Sequence, residues 1–183
     1  MEYIYKLNLP AVLNVLLPQA QDIVTGGEDK CFVRFYHCVD ILKSQYISMC
    51  GYNFKPAFML FKTAGTIGNL HSDNEIGVRE NTWAINWIHR GNCQMQYWHK
   101  DRLGIPTVWN NSIRYPLLRW DNQTSEPDKI HDLSKDCAYL VNTAVPHLPV
   151  SFQDRYALSI RSFDNSERTW DQVVSAFSAL IVE

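Results

Sequence analysis

Cysteine is scarce and scattered in this chain: five occur in 183 residues, at positions 31, 38, 50, 93 and 137. They form no Cys-x-x-Cys pair, and their density is far below that of a disulfide scaffold, so reduced thiols are expected. Excess charge is missing too. Seventeen Lys and Arg stand against nineteen Asp and Glu, which leaves no long-range field to draw in nucleic acid or an anionic membrane. Only a local basic groove would serve such a partner. There is also no run of ~18 apolar residues, the length a membrane-spanning helix requires. The start, MEYIYKLNLPAVLNVLLPQ, has neither a basic n-region nor a clean apolar h-region. A cytoplasmic protein without a membrane segment is the expectation. Internal repeats, low-complexity tracts and linkers are absent as well, so residues 1–183 are read as one domain.

What is present is packing material. Hydrophobic residues make up 46% of the chain, with six Trp, nine Tyr and eight Phe, enough to fill a core at this length. Residues 2–9 alternate loosely and predict a first strand. A helical part follows over about 10–51, in which Phe35, Cys38, Val39, Leu42, Tyr46, Met49 and Cys50 recur at three- and four-residue spacing and form one helix face ending at Gly51. From about 55 the period changes to that of strands: PAFMLFKTA, TWAINWI and CQMQYW, with shorter candidates at 106–109 and 114–120. The polar stretch 109–135 reads as a long loop with at most one short strand. Strands resume at 138–142, around His147 and at 155–163. A closing helix over about 169–182 opens on a Thr-x-x-Gln capping pattern. Helices, then many short strands, then one helix do not fit an alternating parallel sheet. They fit an antiparallel barrel or jelly roll of about 55–163, flanked by helices.

The candidate chemistry is a metal site. Two histidines and one carboxylate on one face of an ion leave open positions for co-substrate and oxygen. In extended chain, residues i and i+2 point the same way, so His71 and Asp73 can serve one ion. One such pair arises by chance about 0.6 times at this composition, and the chain has two, since His99-Lys100-Asp101 also matches. Topology favours the first. A jelly roll sets the early pair and a late histidine on neighbouring strands with about four strands between, and His71 to His147 supplies that length. His99 to His147 supplies mostly polar loop. Catalytic and metal roles are therefore assigned to His71, Asp73 and His147. Downstream, Arg155, Ala157, Ser159 and Arg161 share one strand face, while Tyr156, Leu158 and Ile160 take the other. A guanidinium there suits the distal carboxylate of a dicarboxylate co-substrate, with the Ser159 hydroxyl as a further donor. The plainer alternative has both arginines facing water on a half-buried strand.

His-Ser-Asp at 71–73, then TWAINW, a Gln- and Tyr-rich strand ending at Trp98, then Val145-Pro146-His147 and RYALSIR at 155–161 together resemble the iron(II)/2-oxoglutarate-dependent dioxygenase superfamily, in particular its small phage-like and hydroxylase-like members. The resemblance spans about 55–163. It implies a double-stranded β-helix of cupin type, Fe(II) held at His71, Asp73 and His147, and 2-oxoglutarate and O₂ as co-substrates. It also implies Arg155 as the anchor of 2-oxoglutarate, with Arg161 as a second arginine, and Asn86 and Tyr97 as strand residues touching the co-substrate. The chain departs from the superfamily's Arg-x-Ser pattern: it reads Arg155-Tyr156-Ala157, with serine at 159. The implied activity is hydroxylation or oxidative demethylation of a peptidyl, nucleobase or small-molecule substrate. Two rivals remain at this level. One is a cupin-like metalloenzyme that does not use 2-oxoglutarate, and the other is a non-catalytic jelly-roll binding module.

Overall fold

The computed structural model describes residues 2–9, 24–25, 31–35, 57–62, 64–65, 67–74, 82–110, 116–120, 125–161 and 168–182. Of the helical part expected over about 10–51, the described residues are strands, at Val24–Thr25 and Cys31–Phe35, so Phe35 ends a strand rather than opening a helix face, and the rest of the helix expected from it to Cys50 lies outside the described residues. Thirteen strands are present among the described residues: β1 (Ile4–Leu7), β2 (Val24–Thr25), β3 (Cys31–Phe35), β4 (Ala57–Lys62), β5 (His71–Ser72), β6 (Trp83–Arg90), β7 (Cys93–Tyr97), β8 (Thr107–Asn110), β9 (Pro116–Arg119), β10 (Lys129–Leu133), β11 (Cys137–Asn142), β12 (His147–Ser151) and β13 (Arg155–Arg161). One α-helix is present among the described residues, α1 (Trp170–Phe177), which runs into a 3-10 turn at Ser178–Leu180.

The strands form two sheets in which every pairing is antiparallel. One has seven strands in the order β1-β11-β6-β13-β4-β3-β2, the other six in the order β10-β7-β12-β5-β9-β8. From β4 to β7 the chain changes sheet at each step, and it does so again from β10 to β13. The central strands β11-β6-β13-β4 of one sheet therefore face β10-β7-β12-β5 of the other. That winding is a double-stranded β-helix, the mainly β jelly roll with flanking helix that the strand pattern predicts. The β8–β9 hairpin is an addition at the edge beyond β5, so six strands rather than about four separate β5 from β12.

Side-chain alternation explains why the two sheets close on each other. Along β7, Cys93, Met95 and Tyr97 are buried while Gln94 and Gln96 are half-exposed; the buried three meet Ile88, Tyr139, Val141 and Ala157 of the opposite sheet. The strand β6 is buried on both faces. Its Ile88 looks into the interior, whereas Trp83, Ile85 and Trp87 pack outward with Leu158 and Ile160 under Trp170, Val173 and Phe177 of α1. A strand covered on both sides reads as the near-continuous apolar run TWAINWI. Each fully buried large side chain contributes about 1.5–3 kcal/mol by leaving water.

Two expectations need correction. The stretch 109–135 carries both β9 and β10, not at most one short strand. The strand β10 is an edge strand of sequence KIHDL whose Ile130 is 52% exposed, and a solvated edge strand lacks the apolar alternation that reveals inner ones. The closing helix is α-helical only to Phe177, although its start is as expected: Thr169 caps it, with its side chain accepting from the Gln172 N–H and the Gln172 side chain accepting in return from the Thr169 N–H.

Candidate metal centre

His71 and His147 are direct register partners across the β5–β12 pairing. Directly opposed residues in an antiparallel pair project from the same face, and the two imidazole rings lie 4.5 Å apart between centroids. Asp73, two residues past His71, is held by its own N–H donating to the Thr143 carbonyl at 2.8 Å. Its carboxylate is buried and reaches to 3.8 Å from His71 Nε2. One ligand atom from each of His71, Asp73 and His147 lies within 4.8 Å of the others, and this is the one such grouping of three among the described residues. His99, the rival of His71, is exposed and approaches the Tyr3 hydroxyl at 3.5 Å instead. His89 is half-buried, and His131 meets the Glu2 carboxylate at 2.9 Å.

The two histidines are set up alike. Nδ1 of His71 lies 2.6 Å from the Asn69 carbonyl, and Nδ1 of His147 lies 2.9 Å from the Val145 carbonyl. A carbonyl only accepts, so each Nδ1 donates and each neutral ring presents an Nε2 lone pair. This is how a metal-binding histidine is oriented by its backbone surroundings. With ligand bonds of about 2.0–2.2 Å, neighbouring donors come closer together than they stand here, so small side-chain rotations would close them on an ion. Two imidazoles and one carboxylate fit a divalent transition metal, Fe(II) included.

The remaining candidates fall on the inner faces of the two sheets. Arg155 opens β13 and is 2% exposed. Its Nε is buried with no hydrogen-bond partner, and burial pulls its pKa down from the ordinary arginine value against a smaller opposing influence of Cys93. A water-facing arginine is thereby ruled out at 155. Asn86 and Ser159 are register partners on β6 and β13, both buried, and the Asn86 side-chain oxygen has no partner. Tyr97 is fully buried, abreast of His147 on β7, with ring centroids 5.9 Å apart. Its hydroxyl has no partner, and its pKa is raised, first by burial and then by the negative charge of Asp73. For Arg161 the structure gives the backbone alone, opposite Ala84 at the end of the β13–β6 pairing.

Distance along the strands separates two ends of the interior. Tyr97 stands beside His147, while Cys93, four residues earlier on β7, stands opposite Ser151. Four residues of strand span about 13 Å. A Cβ on Gly91, two residues before Cys93, would lie 3.2 Å from the Arg155 Cα, so Arg155 stands at the end of the interior away from the histidines. Sequence reading missed Ser151, whose buried hydroxyl also lacks a partner, and Arg119, the register partner of His71 on its other side. The signal for Arg119 was present in the alternating run at 114–120.

No family model and no curated protein matches the chain. Among solved structures, it is similar to KdgF from Halomonas sp., with 11% identity, 78% of this chain and 87% of that chain covered, and a TM-score of 0.45. It is also similar to the Escherichia coli ribosomal oxygenase YcfD, with 9% identity, 84% of this chain, 36% of that chain and a TM-score of 0.48. A third is ectoine synthase from P. lautus, at 9% identity, 79% and 71% coverage and a TM-score of 0.42. The chain thus spans about a third of the length of the ribosomal oxygenase and most of the other two.

Proposed function

We propose that the protein is an Fe(II)- and 2-oxoglutarate-dependent dioxygenase that hydroxylates or oxidatively demethylates its substrate. The observation that carries this reading is the pairing of two oriented, Nε2-presenting histidines and a buried carboxylate at one end of the interior with a buried arginine lacking a partner at its Nε at the other. A buried guanidinium without a counter-charge costs stability, and a site that keeps one is built to receive an anion.

In this reading His71, Asp73 and His147 hold the iron. The chemistry supplied by the bound iron and co-substrate is the four-electron reduction of O₂, with two electrons from oxidative decarboxylation of 2-oxoglutarate to succinate and CO₂ and two from the substrate C–H bond. Arg155 grips the distal carboxylate of the co-substrate with charge-assisted hydrogen bonds. Asn86 and Ser159, side by side on the same inner sheet face, offer an amide and a hydroxyl to it. The Tyr97 phenol, kept protonated by burial, is a donor on the opposite wall. Ile88, Met95 and Ala157 exclude water from the space between. Succinate formed from 2-oxoglutarate under air, measured with and without added Fe(II), checks this. Formation should depend on Fe(II) and vanish in Asp73→Ala. Formation that is undiminished in Asp73→Ala overturns the reading, and melting that responds to metal but not to 2-oxoglutarate supports the metal-only alternative.

A further inference from the structure

A buried polar atom without a partner is costly, and two of them meet at the corner where β12 turns into β13. Ser151 ends β12 and Arg155 opens β13, with only residues 152–154 between them. Ser151 is 0% exposed and its hydroxyl has no hydrogen-bond partner; Arg155 is buried almost as deeply, and its Nε has none either.

Both side chains face the interior. Along β12, Leu148 and Val150 pack outward with Leu70, Trp98 and Trp120, so strand alternation turns His147, Pro149 and Ser151 inward. Register agrees: Ser151 lies opposite Cys93, which packs inside with Met95, Tyr97 and Ala157. Along β13, Tyr156 packs outward and Ala157 inward, which turns Arg155 inward too. The corner is also firmly held. The Ser151 carbonyl accepts from the Gly65 N–H at 2.8 Å, the Gln153 side chain from the Asn92 N–H at 3.3 Å, and the exposed Asp154 carboxylate from the Ala64 N–H at 3.0 Å.

Packed sheets stand about 10 Å apart, and an extended arginine spans more than half of such a gap. A hydroxyl on one sheet and a guanidinium on the other therefore reach the same small group between them. Both can donate, a carboxylate offers acceptors to both at once, and donors already fixed in place lose little freedom on binding it. The strand β13 runs from this corner toward Ser159, about 13 Å further along, so the hydroxyl at the corner is that of Ser151. The same face of β12 carries His147 four residues earlier, which sets a metal ligand and an anchoring hydroxyl at a fixed separation on one strand.

We propose that Ser151 is a further binding residue: its hydroxyl and the Arg155 guanidinium hold one carboxylate, the distal carboxylate of the co-substrate, from opposite sheets. The identity of that co-substrate as 2-oxoglutarate rests on the dioxygenase reading; the two-donor corner does not.

The test measures the affinities of 2-oxoglutarate and of oxalate for full-length protein in the presence of Mn(II), by calorimetry. Oxalate chelates a metal but has no arm that reaches the corner, so it reports on the metal end alone. Ser151→Ala removes a single oxygen, and should weaken 2-oxoglutarate at least about five-fold relative to oxalate. A smaller relative loss overturns the proposal, including the case in which both ligands weaken together, as they would if Ser151 served only to shape the fold. Should the wild type not bind both ligands in an Mn(II)-dependent manner, the dioxygenase reading fails, and glutarate with metal-free protein then decides the corner alone. Saturation transferred from protein to glutarate that falls in both Ser151→Ala and Arg155→Met supports the corner; transfer that is absent, or that either variant leaves unchanged, overturns it.

Discussion

Single residues show most clearly where this protein gives up stability for a site. Arg155 is buried with an unpartnered Nε, whereas a methionine there would fill similar space with no charge to desolvate. Arg155→Met is therefore expected to melt at a higher temperature than the wild type when 2-oxoglutarate is absent. The order should reverse in saturating 2-oxoglutarate, because removing one partner of a buried charge pair costs about 2–5 kcal/mol of binding, a loss of ~30-fold or more in affinity. Thermal melting with and without 2-oxoglutarate checks both halves, and a variant that is less stable in each condition contradicts the assignment. At this scale the sequence was informative about residue types and less so about neighbours. The i, i+2 spacing of His71 and Asp73 and the strand parity of Arg155 and Ser159 follow from extended geometry alone. That His147 lies directly across from His71, or that Arg119 flanks it, depends on register, which is set by long-range pairing.

Elements carry the site by holding that register. The turn between β6 and β7 has Gly91 at φ +76°, and a Cβ at this position would meet the Asp154 carbonyl oxygen at 2.2 Å. Asp154 immediately precedes Arg155, so the turn and the start of β13 are packed backbone against backbone. Gly91→Ala combines left-handed strain with a clash, and a destabilisation of about 2–4 kcal/mol is expected in denaturant unfolding. Thr169→Ala removes only the α1 capping box and is expected to cost about 1 kcal/mol, with metal affinity unchanged. Equal, small effects of the two substitutions would show that the Gly91 turn does not constrain β13. The strands that faced the core on one or both sides, β6, β7, β11 and β13, were legible as periodic or continuous apolar runs. The edge strand β10 was not, because water rather than packing partners satisfies its outer face, and its pairing with β7 is a tertiary fact.

At the level of the whole molecule, the two sheets and the N-terminal strand are coupled through ionisable groups at the sheet edge. His131 of β10 is 2.9 Å from the Glu2 carboxylate, yet its pKa is lowered from the ordinary histidine value, chiefly by burial, with the Glu2 charge opposing in part. A depressed folded-state pKa means that the unfolded chain takes up the proton first as pH falls. The contribution is present above the ordinary histidine pKa of about 6.5 and is lost as pH falls through the folded value. Tyr139 has the opposite sense: burial raises its pKa, so its contribution is present below about pH 10 and lost above it. The melting temperature of the wild type should therefore fall more steeply below about pH 6.5 than that of His131→Gln, and more steeply above about pH 10 than that of Tyr139→Phe. Parallel profiles in both comparisons would contradict this assignment. The jelly-roll class was readable from the order of strands and helices. The two strands of the β8–β9 extension were readable as the short candidates at 106–109 and 114–120, but their place at the far edge of one sheet was not, since it follows from the β5–β9 pairing.

The account stands most directly on one anaerobic visible spectrum. Fe(II) and then 2-oxoglutarate are added to the purified protein, with His71→Ala and Arg155→Ala measured alongside. A weak charge-transfer band should appear only after both additions, be absent in His71→Ala, and require at least ~30-fold more 2-oxoglutarate in Arg155→Ala. A folded wild-type protein that shows no band, or a band that His71→Ala leaves intact, would contradict the proposed site.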